Sequence, residues 1–141
     1  MKLLVAVDGS KSSLSAARYA AKLASSMRGH NHITLLSVHD DSALKLFKSY
    51  VPKGVIGDFL RELSDKDLAP SRKALDKAGI AHDMAIRYGD ITAQILEEIQ
   101  SSGCDMIVLG SKGRGTVKNL LVGSVAQKVL ANASVPVLLV R

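Results

Sequence analysis

Met106-Ile-Val-Leu-Gly110-Ser-Lys-Gly113-Arg-Gly115-Thr-Val-Lys-Asn-Leu-Leu-Val-Gly123-Ser124 joins a strand-like run, Met106 to Leu109, to a helix-like run that begins near Val125. A strand, a glycine loop and a helix in succession suit an anion. Glycines let backbone N–H groups come close to a ligand, and the helix start adds unpaired N–H groups and the positive end of its dipole. The charges agree: Lys112, Arg114, Lys118 and Lys128 surround the loop, and no Asp or Glu occurs from Met106 to Arg141. Two familiar phosphate motifs fail here. After Gly110 and Gly115 a P-loop requires Lys and then Ser or Thr, but the chain has Thr116-Val117. A dinucleotide fingerprint requires a third glycine where Lys118 stands. What is left is Gly110-x2-Gly113-x9-Gly123-Ser124.

Outward from the loop, strand-like and helix-like runs alternate. Lys2 to Val7 is a continuous apolar strand, closed by Asp8-Gly9-Ser10. Ser12 or Ser13 is expected to cap a helix in which Leu14, Ala17, Ala20, Ala21 and Leu23 keep a helical period until Gly29. Ile33 to Val38 is a second strand. Residues 39–57, with Pro52, Gly54 and Gly57, fit neither period and read as a loop or a partly helical excursion. Asp58 to Ala78 reads as a helix burying Phe59, Leu60, Leu63, Leu68 and Leu75, with Pro70 expected to kink or divide it and Gly79 to stop it. Met84, Ile86 and Tyr88 mark a third strand, and Asp90 is expected to cap a helix carrying Ile91, Ile95, Leu96 and Ile99. Met106 to Leu109 is the fourth strand, Ser124 to Ala131 a short helix, and Val135 to Val140 the fifth strand. Such alternation gives the α/β class: one doubly wound, Rossmann-like domain with a five-stranded parallel sheet and helices on both faces. Ligands of such sheets bind beyond the carboxyl ends of the strands, where Asp8 and Gly110 both lie. Periodicity alone leaves open whether the first and fourth strands are neighbours.

The chain has 141 residues, 47% of them apolar, enough for one domain with a sizeable core. No apolar run is long enough to span a membrane, and Asp8 interrupts the opening Met1-Lys-Leu-Leu-Val-Ala-Val before a signal segment could form, so a cytoplasmic protein with no membrane partner is expected. The lone Cys104 excludes an internal disulfide and reads as a small hydrophobe. A charge of +6 is weak evidence for nucleic acid, because 13 acids are scattered among the 19 bases and two Phe, three Tyr and no Trp offer no stacking platform. Nucleic acid is therefore not the expected partner. His30, His32, His39 and His82 lack metal-ligand spacing, and His39-Asp40-Asp41 reads as a solvated loop rather than a metal site.

The glycine motif, the Val-Ala-Val-Asp-Gly-Ser opening, the second strand ending near Val38, Gly89-Asp90 before a helix and the closing Val135-Pro-Val-Leu-Leu-Val140 together resemble the universal stress protein family, in its ATP-binding branch. The resemblance covers the whole chain, residues 1–141. It implies strand order 3-2-1-4-5 and an adenine nucleotide, ATP first among them, between strands one and four. By position, Asp8 and Gly9 would lie at the adenosine, the backbone of Val38 at adenine and Gly110 at ribose, while Gly113, Gly123, Ser124 and Val125 would hold phosphates. Lys112 and Arg114 are candidates to pair with phosphate. Ser124 is expected to cap the final helix while offering its hydroxyl, and this chain has Ala126 where some relatives carry a hydroxyl. Magnesium would arrive with the nucleotide.

Other readings stand beside these. The Asp8 carboxylate has a local role open to it, bonding to the backbone two residues onward. The expected function is a stress-response regulatory module that binds nucleotide. The alternatives are an adenine-nucleotide-dependent enzyme with slow ATP hydrolysis and a dimeric interaction module without nucleotide. Neither an S-G-G-x-D-S loop after the first strand nor an H-x-G-H segment is present to favour an enzyme, and no residue is nominated as catalytic. The resemblance implies a homodimer pairing through Val135 to Val140, which would cover an apolar terminal strand and is compatible with nucleotide binding.

Overall fold

In the computed structural model, which describes residues 1–115 and 118–141, strands and helices alternate along the chain. They are β1 (Lys2–Ala6), α1 (Lys11–Ser26), β2 (His32–His39), α2 (Ser42–Lys45), α3 (Val55–Ala78), β3 (His82–Tyr88), α4 (Ile91–Ser102), β4 (Met106–Gly110), α5 (Ser124–Asn132) and β5 (Val137–Val140). The five strands form one parallel sheet in the order β3-β2-β1-β4-β5. The question left open by periodicity is thereby answered, because β1 pairs directly with β4, Leu3 opposite Met106 and Val5 opposite Val108.

Alternation along the strands divides the core into two layers. Leu3, Val5, Val7, Ile33, Leu35 and Val108 meet the alanine stripe of α1 and Leu68 and Leu75 of α3. Leu4, Leu36, Ile107 and Leu109 meet Ile95 and Ile99 of α4 and Ala126 and Val129 of α5. Small side chains at Ala16, Ala17, Ala20 and Ala24 let α1 settle closely on the sheet. Leu4 is fully buried, so Leu4→Ala would cost about 2–5 kcal/mol. Cys104 is buried beside this second layer, and burial pushes its thiol up from the ordinary range.

Several expectations need correction. The cap of α1 is Ser10, whose side chain accepts from Ser13 N; Ser12 and Ser13 already lie in the helix. α3 begins at Val55 and runs through Pro70 as one helix. A proline there removes the bond to the Lys66 carbonyl, and both residues are exposed, so water is at hand to satisfy that oxygen. Phe59 is half exposed and Leu63 half-buried, because the inward face of α3 is Leu60, Ser64, Asp67, Leu68, Ser71 and Leu75. β5 begins at Val137; Pro136 precedes it, its carbonyl accepting from Ile107 N at 3.0 Å. Asp90 caps α4 as expected, accepting from Ala93 N at 2.8 Å.

Candidate functional site

Pairing of β1 with β4 places Asp8 and Gly110 on opposite walls of one cleft of about 250 Å³. Asp8, Val38, Gly110, Lys112, Gly113, Arg114, Gly123, Ser124 and Val125 line it, and Gly9 does not. Leu36, Ile91, Ile95 and Leu109 supply an apolar floor and side. A greasy slot beside a polar glycine loop is chemically suited to a flat ring joined to an anion.

The two helix starts at the cleft differ. At α1, Ser10 caps the helix, Ser13 Oγ donates to the Ser10 carbonyl at 3.0 Å, and Asp8 Oδ1 accepts from Ser10 N at 2.9 Å. At α5 the cap is Gly123, with no side-chain bond to the first turn. Ser124 is the first helical residue rather than the cap, a correction with a simple origin: Gly123 holds the extended dihedrals of a cap, φ −70° and ψ 161°. The first-turn N–H groups of α5 have no intrahelical acceptor, and Gly123 has no side chain to provide one.

Asp8 does local work that its alternative reading anticipated, and more. Oδ2 accepts from Arg114 N at 3.0 Å, so the carboxylate ties the turn after β1 to the glycine loop. Ser12 Oγ assists, accepting from Lys112 N at 3.3 Å. Burial raises the Asp8 carboxyl, but the hydrogen bonds from Ser10, Arg114 and Ser13 outweigh it and hold the group below its ordinary value of 3.8.

Arg114 goes somewhere unexpected. Its Nη2 lies 2.6 Å from Oδ1 of Asp67, an α3 side chain only 4% exposed. His39 Nε2 stands 3.1 Å from Oδ2 of the same carboxylate, off the line of a hydrogen bond, and neither atom has a hydrogen-bond partner. His39 is thus the last residue of β2 and a wall of the cleft, not part of a solvated loop. Asp40 is exposed, with Oδ1 accepting from Ser42 N at 2.9 Å. Asp67 was the residue sequence reasoning missed. One signal was available: at helical spacing it shares a stripe with Leu60, Leu68 and Leu75, where an unpaired acid would be costly.

Two glycines have structural reasons of their own. Gly9 has φ +78°, and a Cβ there would run into Arg114 and Asp67. At Gly110 a Cβ would lie 2.7 Å from the backbone carbon of Ser12. Gly123 differs, because its dihedrals are open to any residue.

The sequence profile of the universal stress protein family matches residues 1–141 in full. The chain belongs to that family. Universal stress protein YxiE of Bacillus subtilis is 30% identical over 147 aligned residues, covering 99% of this chain and 98% of that protein. Among solved structures, hypothetical protein MJ0577 superposes with a TM-score of 0.85 at 24% identity, covering 99% of this chain and 94% of the other. A universal stress protein from Archaeoglobus fulgidus, solved in complex with dAMP, gives a TM-score of 0.70 at 22% identity, covering 100% and 98%. At such identities the two structures speak for the fold.

Proposed function

We propose that the cleft binds an adenine nucleotide, with ATP its cellular ligand, and that this universal stress protein serves as a cytoplasmic regulatory module in a stress response. The observation that carries the reading is the start of α5, which opens into the cleft behind a glycine that its backbone does not require. Gly123 sets no side chain between the first-turn N–H groups of α5 and the cleft, which leaves them open to a ligand. Phosphates would take the first-turn N–H groups of Ser124, Val125 and Ala126 together with the Ser124 hydroxyl. The base would lie against Leu36, Val38 and Ile95. Fold relatives solved with AMP, dAMP and cAMP support the adenine class.

The cleft is slightly smaller than the roughly 300–1,000 Å³ usual for small-molecule sites, and its glycine loop is tied through Arg114 to Asp8 and Asp67. ATP would lift that loop, and Arg114 would exchange Asp67 for phosphate. Among the described residues no group of three or more His, Cys, Asp or Glu is arranged to hold a metal ion, so magnesium would be carried by the phosphates. Binding is the principal activity; the two carboxylates that line the cleft, Asp8 and Asp67, hold the glycine loop through Arg114.

β5 is an edge strand whose four residues are all half-buried, and pairing it with a second copy would form the homodimer through which occupancy is sensed. The test is to purify the protein without added nucleotide, denature it and identify any released small molecule by mass spectrometry, then to titrate ATP with magnesium, AMP and cAMP. Adenine nucleotide released or bound supports the reading. A protein that releases none and binds none has a structural glycine loop.

A further inference from the structure

The two ends of the Arg114–Asp67 contact have unequal surroundings. The arginine side chain is 59% exposed and the aspartate 4%. Arg114 can therefore leave for water or for a ligand with little change in its solvation, whereas Asp67 cannot follow it. A carboxylate left alone at such depth is costly, because neither water nor a counter-charge replaces what it loses. Ser64 and Ser71 share the inward stripe of α3 with Asp67, but their hydroxyls have no hydrogen-bond partner and so do not answer it.

His39 stands at the other oxygen. Its side chain is 20% exposed and borders the cleft, so protons can reach the ring, and Nε2 lies 3.1 Å from Oδ2 of Asp67. A neutral ring brings Asp67 no charge; a protonated one supplies the cation that Arg114 takes away. Histidine is the side chain suited to that change between about pH 5 and 8. The other charged or titratable groups around His39 leave it this role. Asp8 accepts from Ser10 N and Arg114 N, Asp40 accepts from Ser42 N, and Asp41 pairs with Lys45. Lys112 borders the cleft from the glycine loop, and Tyr88 is the register partner of His39 on β3. From α1 and α4 the cleft receives Ser13, Ile91 and Ile95 and no charge.

We infer that nucleotide binding at this cleft is coupled to uptake of a proton by His39, which makes the site responsive to acid as well as to nucleotide. The inference rests on the nucleotide reading of the cleft. While Arg114 sits on Asp67 the carboxylate already has its cation, and a second one beside it gains little. Once phosphate draws Arg114 away, His39 faces an unpaired carboxylate and holds a proton more firmly. Coupling of this kind is reciprocal, so the proton strengthens ATP binding by the factor with which ATP strengthens proton binding. Affinity therefore rises as pH falls from the midpoint of the bound ring to that of the free ring, and levels off below both. At high pH, where the ring is neutral in both states, the gain is absent.

The test is calorimetric titration of ATP with magnesium between about pH 5.5 and about pH 8, with proton uptake read near the middle of that range from two buffers of different ionisation heat. The wild type should bind roughly tenfold more tightly at the acid end and take up a proton. His39→Gln should lose most of both effects, leaving the titration of ATP itself, and Asp67→Asn should lose them too because no carboxylate is left in need of a cation. Circular dichroism checks that both variants keep the fold. A wild type whose affinity does not rise toward acid overturns the inference without recourse to variants. So does equal proton uptake in the wild type and His39→Gln, which leaves the nucleotide reading standing. Uptake kept in Asp67→Asn but lost in His39→Gln overturns it as well, placing the histidine on the phosphate itself. Absence of ATP binding at every pH overturns the nucleotide reading and the coupling with it.

Discussion

α1 and α5 both begin at the cleft, and they are finished in opposite ways. The first is closed by its own sequence: Ser10 caps it, Ser13 returns a hydrogen bond, and Asp8 braces the preceding turn. The last starts at Gly123 with no side chain to close it. Helix N-termini attract anions only where their donors are free, so the same secondary structure yields an anchoring point on one wall and, in the proposed reading, the phosphate site on the other. The difference is one of side chains, and side chains can be exchanged.

Gly123→Asp breaks the contrast most directly. An aspartate at the cap would bond to the first turn of α5 and set a negative charge at the phosphate position. Folding stability should rise by a few tenths of a kcal/mol, since glycine is only slightly worse than aspartate as a cap. Affinity for ATP should fall roughly 100-fold, about 2.7 kcal/mol. Calorimetric titration beside thermal unfolding reads both. Unchanged affinity in the folded variant would move the phosphates away from α5.

Gly110→Ala tests the tight wall beneath the loop. The new methyl meets the Ser12 backbone, which cannot yield as a flexible side chain would, so a loss of about 1–3 kcal/mol is expected in denaturant unfolding. Ser10→Ala should cost about 1 kcal/mol by uncapping α1. It should not turn α1 into a second anion site, because the Asp8 carboxylate stays beside it; a second ATP equivalent bound by that variant would sink the contrast.

The Asp8 carboxyl sets the pH response of this wall. Its folded value lies below 3.8, so its stabilising contribution is complete above the unfolded value and is lost as pH falls through the lower folded one. The Arg114 amide proton, which donates to Asp8, should titrate by NMR with a midpoint below 3.8. A midpoint above that value would mean that burial dominates and that the loop is not anchored there.

Much of this was legible in the sequence because its signals are local. Apolar runs ended by Asp8-Gly9 and Gly110 gave the strands, Asp90 and Gly79 marked helix ends, and nine of the ten nominated positions do line the cleft. Failures occurred where tertiary contacts decide. Asp67 lies 47 positions from Arg114, and nothing in either neighbourhood announces their meeting. The inner face of α3 is built partly from Ser64, Asp67 and Ser71, so an apolar pattern search placed Phe59 and Leu63 there instead. Pro70 misled for a related reason: its cost depends on which side of the helix it faces, which propensity does not record.

Asp67→Asn is the finest probe of how the two walls communicate. Asparagine keeps the size of the side chain and an oxygen for Arg114 but removes the charge that makes the contact strong, and charge-assisted hydrogen bonds exceed neutral ones by about 1 kcal/mol. If Arg114 is shared between Asp67 and phosphate, the apo loop loosens and the arginine is released to the ligand. ATP affinity should then rise by up to about fivefold, and Arg114→Lys in the same background should abolish most of the gain, because an ammonium lacks the fork that serves both acceptors. If affinity falls instead, Asp67 and His39 contact the nucleotide themselves, and the buried carboxylate belongs to the binding surface of the cleft rather than to the latch that narrows it.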